Sequence, residues 1–509
     1  MESVEAVGSS ASIVEKFGIR GLYGYRSIAL SSDVAATILI AGNGTGKTTL
    51  LAALDAFLRR EYFRLRDLEF DEIYCRIRGV EDELILTRTD LDELIDHPPS
   101  EEMLRLARRI DKPVPAVFRF ITEEWPKASK GGLPDSQIFS SIMQSAGHSP
   151  KRVRQLCDEL YADTIQASGR IAQIDAALAE ALREHEIVYL PTYRRVELAL
   201  RPNEGESNYS FRRRRPKIEL TPHSLYTSDI QFGLGDISDR LEQLNNQVLG
   251  ISNEGYVRIS ADIMRELIDG TFDRSDQAAA PKPPEDDLEL FFRRLGQMSR
   301  RGPYFGPALP ELSAVPDLSK VIAMRGSSEE SSKFLQYFLG KIEGVISTTR
   351  TIERSIEAFI QSCNKYLGSE ELSTRLEKEG MRSEVRTDAK ALRLDRQNFS
   401  VLVESVPGGR PIPLEALSSG EKQMISLFAK LFLYDGKKIV LIDEPELSLS
   451  IDWQRDILVD VLSAESCDQA IAITHSPFIF DNSLEPYARS LELSVNLDKI
   501  AIEDGGDLV

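Results

Sequence analysis

Several things are scarce in this sequence, and each scarcity excludes a class of protein. Cysteine is rare: Cys75, Cys157, Cys363 and Cys467 lie far apart, with no C-x-x-C pair among them. That usage fits a reducing cytosol and argues against a thiolate metal site or a disulfide scaffold. The five histidines are scattered without the spacing of a zinc cluster. No apolar run approaches the roughly 20 residues a membrane helix needs. The first residues, Met1–Ser12, are small, acidic and polar, with no basic or apolar region of a signal peptide, and read as a loose terminus. Positive charge is outweighed, 62 Lys and Arg against 81 Asp and Glu, for a formal charge of −19. Such a balance repels bulk DNA, so any nucleic-acid contact must be a local patch. There is no tandem repeat and no low-complexity tract.

What is present is organised around Ala41–Leu50, read as Ala-Gly-Asn-Gly-Thr-Gly-Lys-Thr-Thr-Leu. An apolar, β-branched run, Ala36–Ile40, precedes it, and Lys47–Leu58 follows with Leu and Ala at helical spacing. Strand, glycine-rich loop and helix form the context of a phosphate-binding loop. Its glycines let backbone N–H groups curl round phosphates at the positive end of the helix. The candidate nucleotide-binding residues are Asn43, Gly44, Thr45, Gly46, Lys47, Thr48 and Thr49. Lys47 supplies a mobile charge for the β- and γ-phosphates of ATP, and the Thr48 hydroxyl can hold Mg²⁺. Ala41 stands where the first glycine of the pattern belongs; Gly42, Gly44 and Gly46 keep the curl.

At 509 residues the chain is too long for one ordinary core. Val14–Ile19, Ser27–Leu30 and Ala36–Ile40 read as short strands, and Glu69–Ile77 with Glu83–Arg88 as a further hairpin. Ser149-Pro150 opens a helical pattern running to about His185, and Glu186–Leu190 reads as a buried strand. Phe211-Arg212-Arg213-Arg214-Arg215-Pro216-Lys217 is the most basic run. Ser331–Leu367 is the longest helical pattern: Leu335, Ile342, Thr349, Ile356 and Cys363 recur at heptad spacing, with Phe338, Val345, Ile352, Phe359 and Tyr366 between them. At 1.5 Å per residue it is a rod of roughly 55 Å. Thr and Cys at its core positions suit a bundle or short hairpin better than a long zipper.

From Phe399–Glu404 strand character returns, and chemistry with it. Leu417-Ser418-Ser419-Gly420-Glu421 precedes an apolar helical run, Met424–Leu433, and offers backbone N–H groups and a hydroxyl at a helix start. Lys438–Ile442 is a buried strand ending in Asp443-Glu444-Pro445. Asp443 is positioned to hold Mg²⁺, and Glu444 to orient or deprotonate an attacking water. Ala470–Ile473 is another apolar strand, followed by Thr474-His475-Ser476-Pro477, whose histidine can hydrogen-bond the γ-phosphate.

In order and residues these motifs resemble the ABC-type ATPase heads of the SMC, RecF and OLD proteins, over about Val14–Asp90 and Phe399–Phe480 with the Tyr189–Glu197 stretch between. The resemblance implies an α/β fold: a mixed sheet with the P-loop, an antiparallel lobe and a large helical insertion. It assigns Lys47 and Thr48 to Walker A, Leu417–Glu421 to the signature (Ser418, Ser419 and Gly420 toward nucleotide), Asp443 and Glu444 to Walker B, Leu447–Ser450 to the D-loop and His475 to the switch histidine. It also implies that Arg26 reaches the nucleotide phosphates and makes Gln231 the candidate Q-loop glutamine. Departures from the pattern are Ser419 and Glu421 in the signature, a form similar to the OLD-like branch, and Ser448, Ser450 and Ile451 in the D-loop. On this reading residues 1–12 are a loose terminus; 13–90 and 399–509 are the two halves of the head; 91–185 and 236–398 are helical insertions, the second holding the long helix 331–367; and 186–235 returns to the head.

In such ATPases the signature of one head caps the nucleotide of another, so two ATP molecules join a head-to-head dimer and hydrolysis releases it. No TOPRIM domain fits after His475, and the long arm of an SMC protein is missing. The chain therefore resembles a stand-alone, cytoplasmic ATPase subunit of a prokaryotic antiviral system, such as PtuA of Septu or the ATPase of PARIS. These control a separately encoded effector, usually a nuclease. The rival reading is a RecF-type clamp on DNA. Arg212, Arg213, Arg214 and Arg215 are the candidate nucleic-acid contact; a solvated loop paired with the protein's own acids is the alternative.

Overall fold

The computed structural model describes residues 10–42, 44–126, 136–145, 147, 149–166, 168–191, 234–269, 283–298, 329–367, 389–395, 400–406, 409–412, 416–447 and 449–495. In chain order the strands and helices are β1 (Val14–Leu22), β2 (Arg26–Ser31), β3 (Ala36–Ile40), α1 (Lys47–Leu58), β4 (Glu72–Ile77), β5 (Leu84–Thr87), α2 (Arg88–Ile95), α3 (Glu101–Arg109), α4 (Val114–Arg119), α5 (Gln137–Ser145), α6 (Pro150–Gln166), α7 (Gly169–Ala181) and β6 (His185–Leu190). There follow α8 (Leu234–Ile268), α9 (Glu285–Met298), α10 (Glu329–Leu367), β7 (Ala389–Asp395), β8 (Ser400–Val406), β9 (Pro411–Ile412), α11 (Ser419–Leu433), β10 (Lys437–Asp443), α12 (Ile451–Ser463), β11 (Cys467–Thr474), β12 (Ala488–Ser490) and β13 (Glu492–Val495). They gather into two compact units, Met1–Gln231 with Asp435–Val509, and Phe232–Tyr434.

The first unit is α/β and contains two five-stranded sheets. One has the order β12-β3-β11-β10-β6, and every pairing in it is parallel. The other, β13-β2-β1-β4-β5, is antiparallel. The sheet read from the sequence as mixed, with an antiparallel lobe beside it, is thus resolved into a parallel sheet and a separate antiparallel one. β10 and β11 are buried along nearly their whole length and carry the apolar runs Ile439–Ile442 and Ala470–Ile473, as a strand covered on both faces requires. Helix α1 is almost wholly buried between the sheets, and its Leu50, Leu51, Leu54 and Phe57 join Phe17, Ile19 and Ile73 of the antiparallel sheet to Ile439, Leu441 and Ile471 of the parallel one in a single core.

One buried polar side chain ties the two sheets. Gln469 of β11 accepts from the backbone N–H groups of Ile13 (3.0 Å) and Val14 (2.8 Å), and its amide donates to the Val14 carbonyl (3.0 Å) and to Ser32 Oγ (3.2 Å). At the far end of α1, the buried Asp55 carboxylate receives Arg59 (2.6 Å) and Arg64 (2.8 Å). Burial alone would raise its pKa; the two guanidinium charges outweigh that and hold it below the usual aspartate value. The helical pattern expected from Pro150 to His185 is broken: α6 ends at Gln166, and Ser168 caps α7 by accepting from Ile171 N–H. A second core, around Trp125, Phe120 and Phe139, fills the space between α3 and α6.

The second unit is a helical bundle with a three-stranded antiparallel sheet, β7-β8-β9. Helix α10 begins two residues before the expected start, at Glu329, and ends at Leu367 as expected. Its heptad residues Ile342, Thr349, Ile356 and Cys363 are buried, whereas Leu335 is only half-buried. Ile259 and Ile263 of α8, Leu288, Phe291 and Leu295 of α9, and Tyr337, Ile342 and Ile346 of α10 form one cluster, a bundle and not a two-stranded zipper. All four cysteines are free and buried, and burial pushes the thiols of Cys157 and Cys467 up to about 12. Among the described residues no helix is long and apolar enough to cross a membrane.

Candidate nucleotide site

Three neighbouring parallel strands bring the motifs of the first unit together. β3 lies beside β11 and β11 beside β10, with Thr474 paired to Ile40 and Asp443 paired to Ile473. The strands therefore finish level, and the loops that leave their carboxyl ends emerge side by side, where open parallel sheets bind ligands.

The loop after β3 is built as a phosphate cradle. Gly44 and Gly46 have φ of 75° and 93°, values a β-carbon disfavours, and a β-carbon at Gly46 would lie 3.3 Å from Ile28 Cδ1. Thr45 Oγ1 donates to the Gly42 carbonyl (2.9 Å), closing the turn. Helix α1 starts on Gly46 with no side-chain cap, leaving its first N–H groups to an anion. Ala41 is not among the residues with positive φ, so the methyl in place of the first glycine brings no backbone strain. Arg26, at the start of β2, donates to the Gly44 carbonyl (2.8 Å) and stacks on Tyr25.

Lys47, Glu444 and His475 converge. Lys47 Nζ lies 3.4 Å from Glu444 Oε1, donates to the Ala41 carbonyl at 3.4 Å and contacts His475 Nε2; that imidazole nitrogen is 3.7 Å from Glu444 Oε1. The side chains are 6%, 20% and 32% exposed, so the lysine is sealed while the carboxylate and imidazole keep access to solvent. Glu444 has φ of 52°, a left-handed conformation costly for a side chain other than glycine, held by its N–H on the Ile473 carbonyl (2.8 Å). Asp443, the last residue of β10, is fully buried.

Thr48 is half-buried and Thr49 buried, both in the first turn of α1. Thr48 and Asp443 offer a hydroxyl and a carboxylate, hard oxygen donors of the kind Mg²⁺ takes. Among the described residues no group of three or more His, Cys, Asp or Glu could hold a metal. A metal held by these two donors would need further oxygen ligands, which nucleotide and water could supply.

In the second unit, Ser418 caps α11 by accepting from Glu421 N–H (3.3 Å), while Glu421 Oε2 accepts from Ser418 N–H (2.6 Å). Both oxygens of Glu421 also receive Lys390 of β7, at 3.0 and 2.9 Å. Burial would raise the Glu421 pKa, but the hydrogen bonds from Lys390 and Ser418 hold it low. Glu421, a departure from the signature pattern, thus has a structural partner, and the Ser418 hydroxyl is already engaged at the helix start. Gly420 is buried beside it. Asn43, Gln231, Ser448 and Arg212–Arg215 lie outside the described residues, as does the side chain of Ser419.

Sequence reasoning passed over Glu446 and Gln454. Glu446 Oε2 accepts from Thr474 Oγ1 (2.7 Å) and Oε1 from His475 N–H (2.7 Å); Gln454 Oε1 accepts from Ser476 Oγ (2.7 Å), and its amide donates to the Leu449 carbonyl (3.1 Å). A third acid behind Pro445, in Asp-Glu-Pro-Glu, was the available signal.

Among solved structures, the chain is similar to one described as the SmcHead bound to the C-winged helix domain of ScpA, with 11% identity, a TM-score of 0.33, and coverage of 96% of this chain and 100% of that one. A family model matches residues 37–481, from β3 and its P-loop past His475. With most of its length in that match, this nucleotide-binding P-loop ATPase chain belongs to the family described as AAA domain, putative AbiEii toxin, Type IV TA system.

Proposed function

We propose that the chain binds and hydrolyses ATP as the sensor and regulator subunit of a prokaryotic anti-phage defence complex, controlling a separate effector, a nuclease encoded beside it. The observation that carries the catalytic part is the meeting of Lys47, Glu444 and His475 at the level ends of β3, β10 and β11. In this reading the P-loop N–H groups and Lys47 hold the phosphates, with Arg26 bracing the loop through Gly44. Thr48 and Asp443 would hold Mg²⁺, which would supply positive charge against the charge developing on the phosphates. Glu444 orients the attacking water and takes its proton, and His475 donates a hydrogen bond to the γ-phosphate. Ser418, Ser419 and Gly420 of a second copy close the site, so ATP joins two heads and its hydrolysis releases them. Helix α10, a rigid element of 39 residues, gives such a dimer a lever toward a bound effector. The family's description, which names a toxin and a Type IV TA system, supports a role alongside a toxic effector.

The test is turnover in purified protein. Lys47→Ala is expected to abolish ATP binding, whereas Glu444→Gln keeps ATP and hydrolyses it roughly 10²–10⁴-fold more slowly. Unchanged turnover in Glu444→Gln removes the base assignment. ATP hydrolysis stimulated by DNA with no protein partner assigns the chain to chromosome maintenance, as a RecF- or SMC-like clamp, in place of defence.

A further inference from the structure

Glu444 and His475 come from different loops, one after β10 and one after β11, yet the site needs them at a fixed separation. Loops are the least constrained part of a parallel sheet. Here they are cross-braced. The Glu446 carboxylate spends one oxygen on the Thr474 hydroxyl and the other on the His475 backbone N–H, both at 2.7 Å. Thr474 is fully buried, and its hydroxyl oxygen accepts in turn from Ser476 N–H at 2.9 Å. A second brace runs through Gln454 of α12, whose amide holds the Leu449 carbonyl (3.1 Å) while its oxygen accepts from Ser476 Oγ (2.7 Å).

We propose that Glu446 is a positioning residue that locks the His475 loop to the Glu444 loop, so that imidazole and carboxylate are presented to Lys47 as one body. The inference rests on the ATPase reading above and adds to it a residue that touches none of the reacting atoms. Both partners of Glu446 are donors, which explains the residue type. A carboxylate accepts with both oxygens, whereas glutamine accepts with one and turns an NH₂ toward the other donor. Charge-assisted acceptance is also the stronger form of the bond. Glu446 thus holds His475 through its backbone N–H and leaves the ring nitrogen to its contact with Lys47.

The experiment compares wild type, Glu446→Gln, Glu446→Ala and Thr474→Val, with Lys47→Ala alongside. Three quantities are measured: the Kd for ATP, kcat and KM for hydrolysis, and amide hydrogen exchange of the peptide spanning 472–480. The Kd is expected to stay within about twofold, while kcat falls in the order Glu, Gln, Ala, reaching about 10²-fold in Glu446→Ala, the scale of a misplacement near 1 Å. In Glu446→Ala the amides of His475 and Ser476 exchange faster while β10 and the rest of β11 exchange as before. Thr474→Val, which keeps the shape and removes one donor, repeats the effect in weaker form if Glu446→Ala does not fold. A kcat within twofold of wild type in both Glu446 variants overturns the proposal, as does unchanged exchange at 472–480. Faster exchange throughout β10 and β11 also overturns it, since that is loss of structure and not of position. The exchange measurement needs no turnover: if Lys47→Ala hydrolyses ATP as wild type does, the ATPase reading falls, and exchange still decides separately whether Glu446 holds the loop.

Discussion

Replacing Gln469 by leucine sets two accounts of the first unit's stability against each other. Leucine is of similar size, so no large cavity opens. Counting apolar burial alone, a fully buried leucine gains about 1.5–3 kcal/mol. The hydrogen bonds point the other way. Gln469 accepts from the N–H groups of Ile13 and Val14, and Gln469, Ile13 and Val14 are 0%, 4% and 0% exposed. Leucine strands both donors where water does not reach, at about 1–3 kcal/mol each. Setting midpoints against each other, a loss of about 4 against a gain of about 2, leaves Gln469→Leu about 2 kcal/mol less stable. Two compact units need not unfold together, so the measurement is urea unfolding read locally, by hydrogen exchange of the β1 segment around Ile13 and Val14. The amides of those two residues are expected to lose protection first. A leucine variant as stable as wild type, or more so, refutes the reasoning that the seam between the sheets depends on this amide and not on the apolar core around it.

Asp55→Ala removes the shared partner of Arg59 and Arg64 and is expected to cost about 3 kcal/mol, measured by denaturant unfolding. Because the folded-state pKa of Asp55 is lowered, its contribution is present above the unfolded aspartate value of about 4 and lost as pH falls through the lower, folded value; the variant should show a shallower acid dependence of stability there. Glu421→Ala removes half of the α11 capping box and the partner of Lys390, and is expected to lose about 1 kcal/mol of helix-start stability, read as faster amide exchange at the start of α11. Replacing Arg212, Arg213, Arg214 and Arg215 by serine is expected to flatten the salt dependence of DNA binding by up to about 0.9 for each phosphate no longer neutralised, and an unchanged slope removes the run from any interface.

The sequence alone determined what depends on near neighbours along the chain. Helix α1 runs from Lys47 to Leu58, the bounds its spacing announced, because glycines force the turn before it and Leu and Ala sustain it. Strand β10 ends at Asp443 because an apolar run meets carboxylates and a proline there. The heptad face of α10 was legible in the same way, since a helix repeats its environment at a fixed period. Tertiary structure decided the rest. Strand order placed β11 between β3 and β10, and with it His475 against Lys47 and Glu444; no local pattern encodes which parallel strand lies beside which. The break between α6 and α7 rests on a single serine cap within a pattern that is otherwise helical throughout. Gln469, Glu446 and Lys390 carried no periodic signal, because a polar side chain's role is set by its partners, and those partners lie 455, 28 and 31 residues away in sequence. Hydrophobic periodicity specifies which face is buried; only the completed fold specifies which buried donors meet which acceptors.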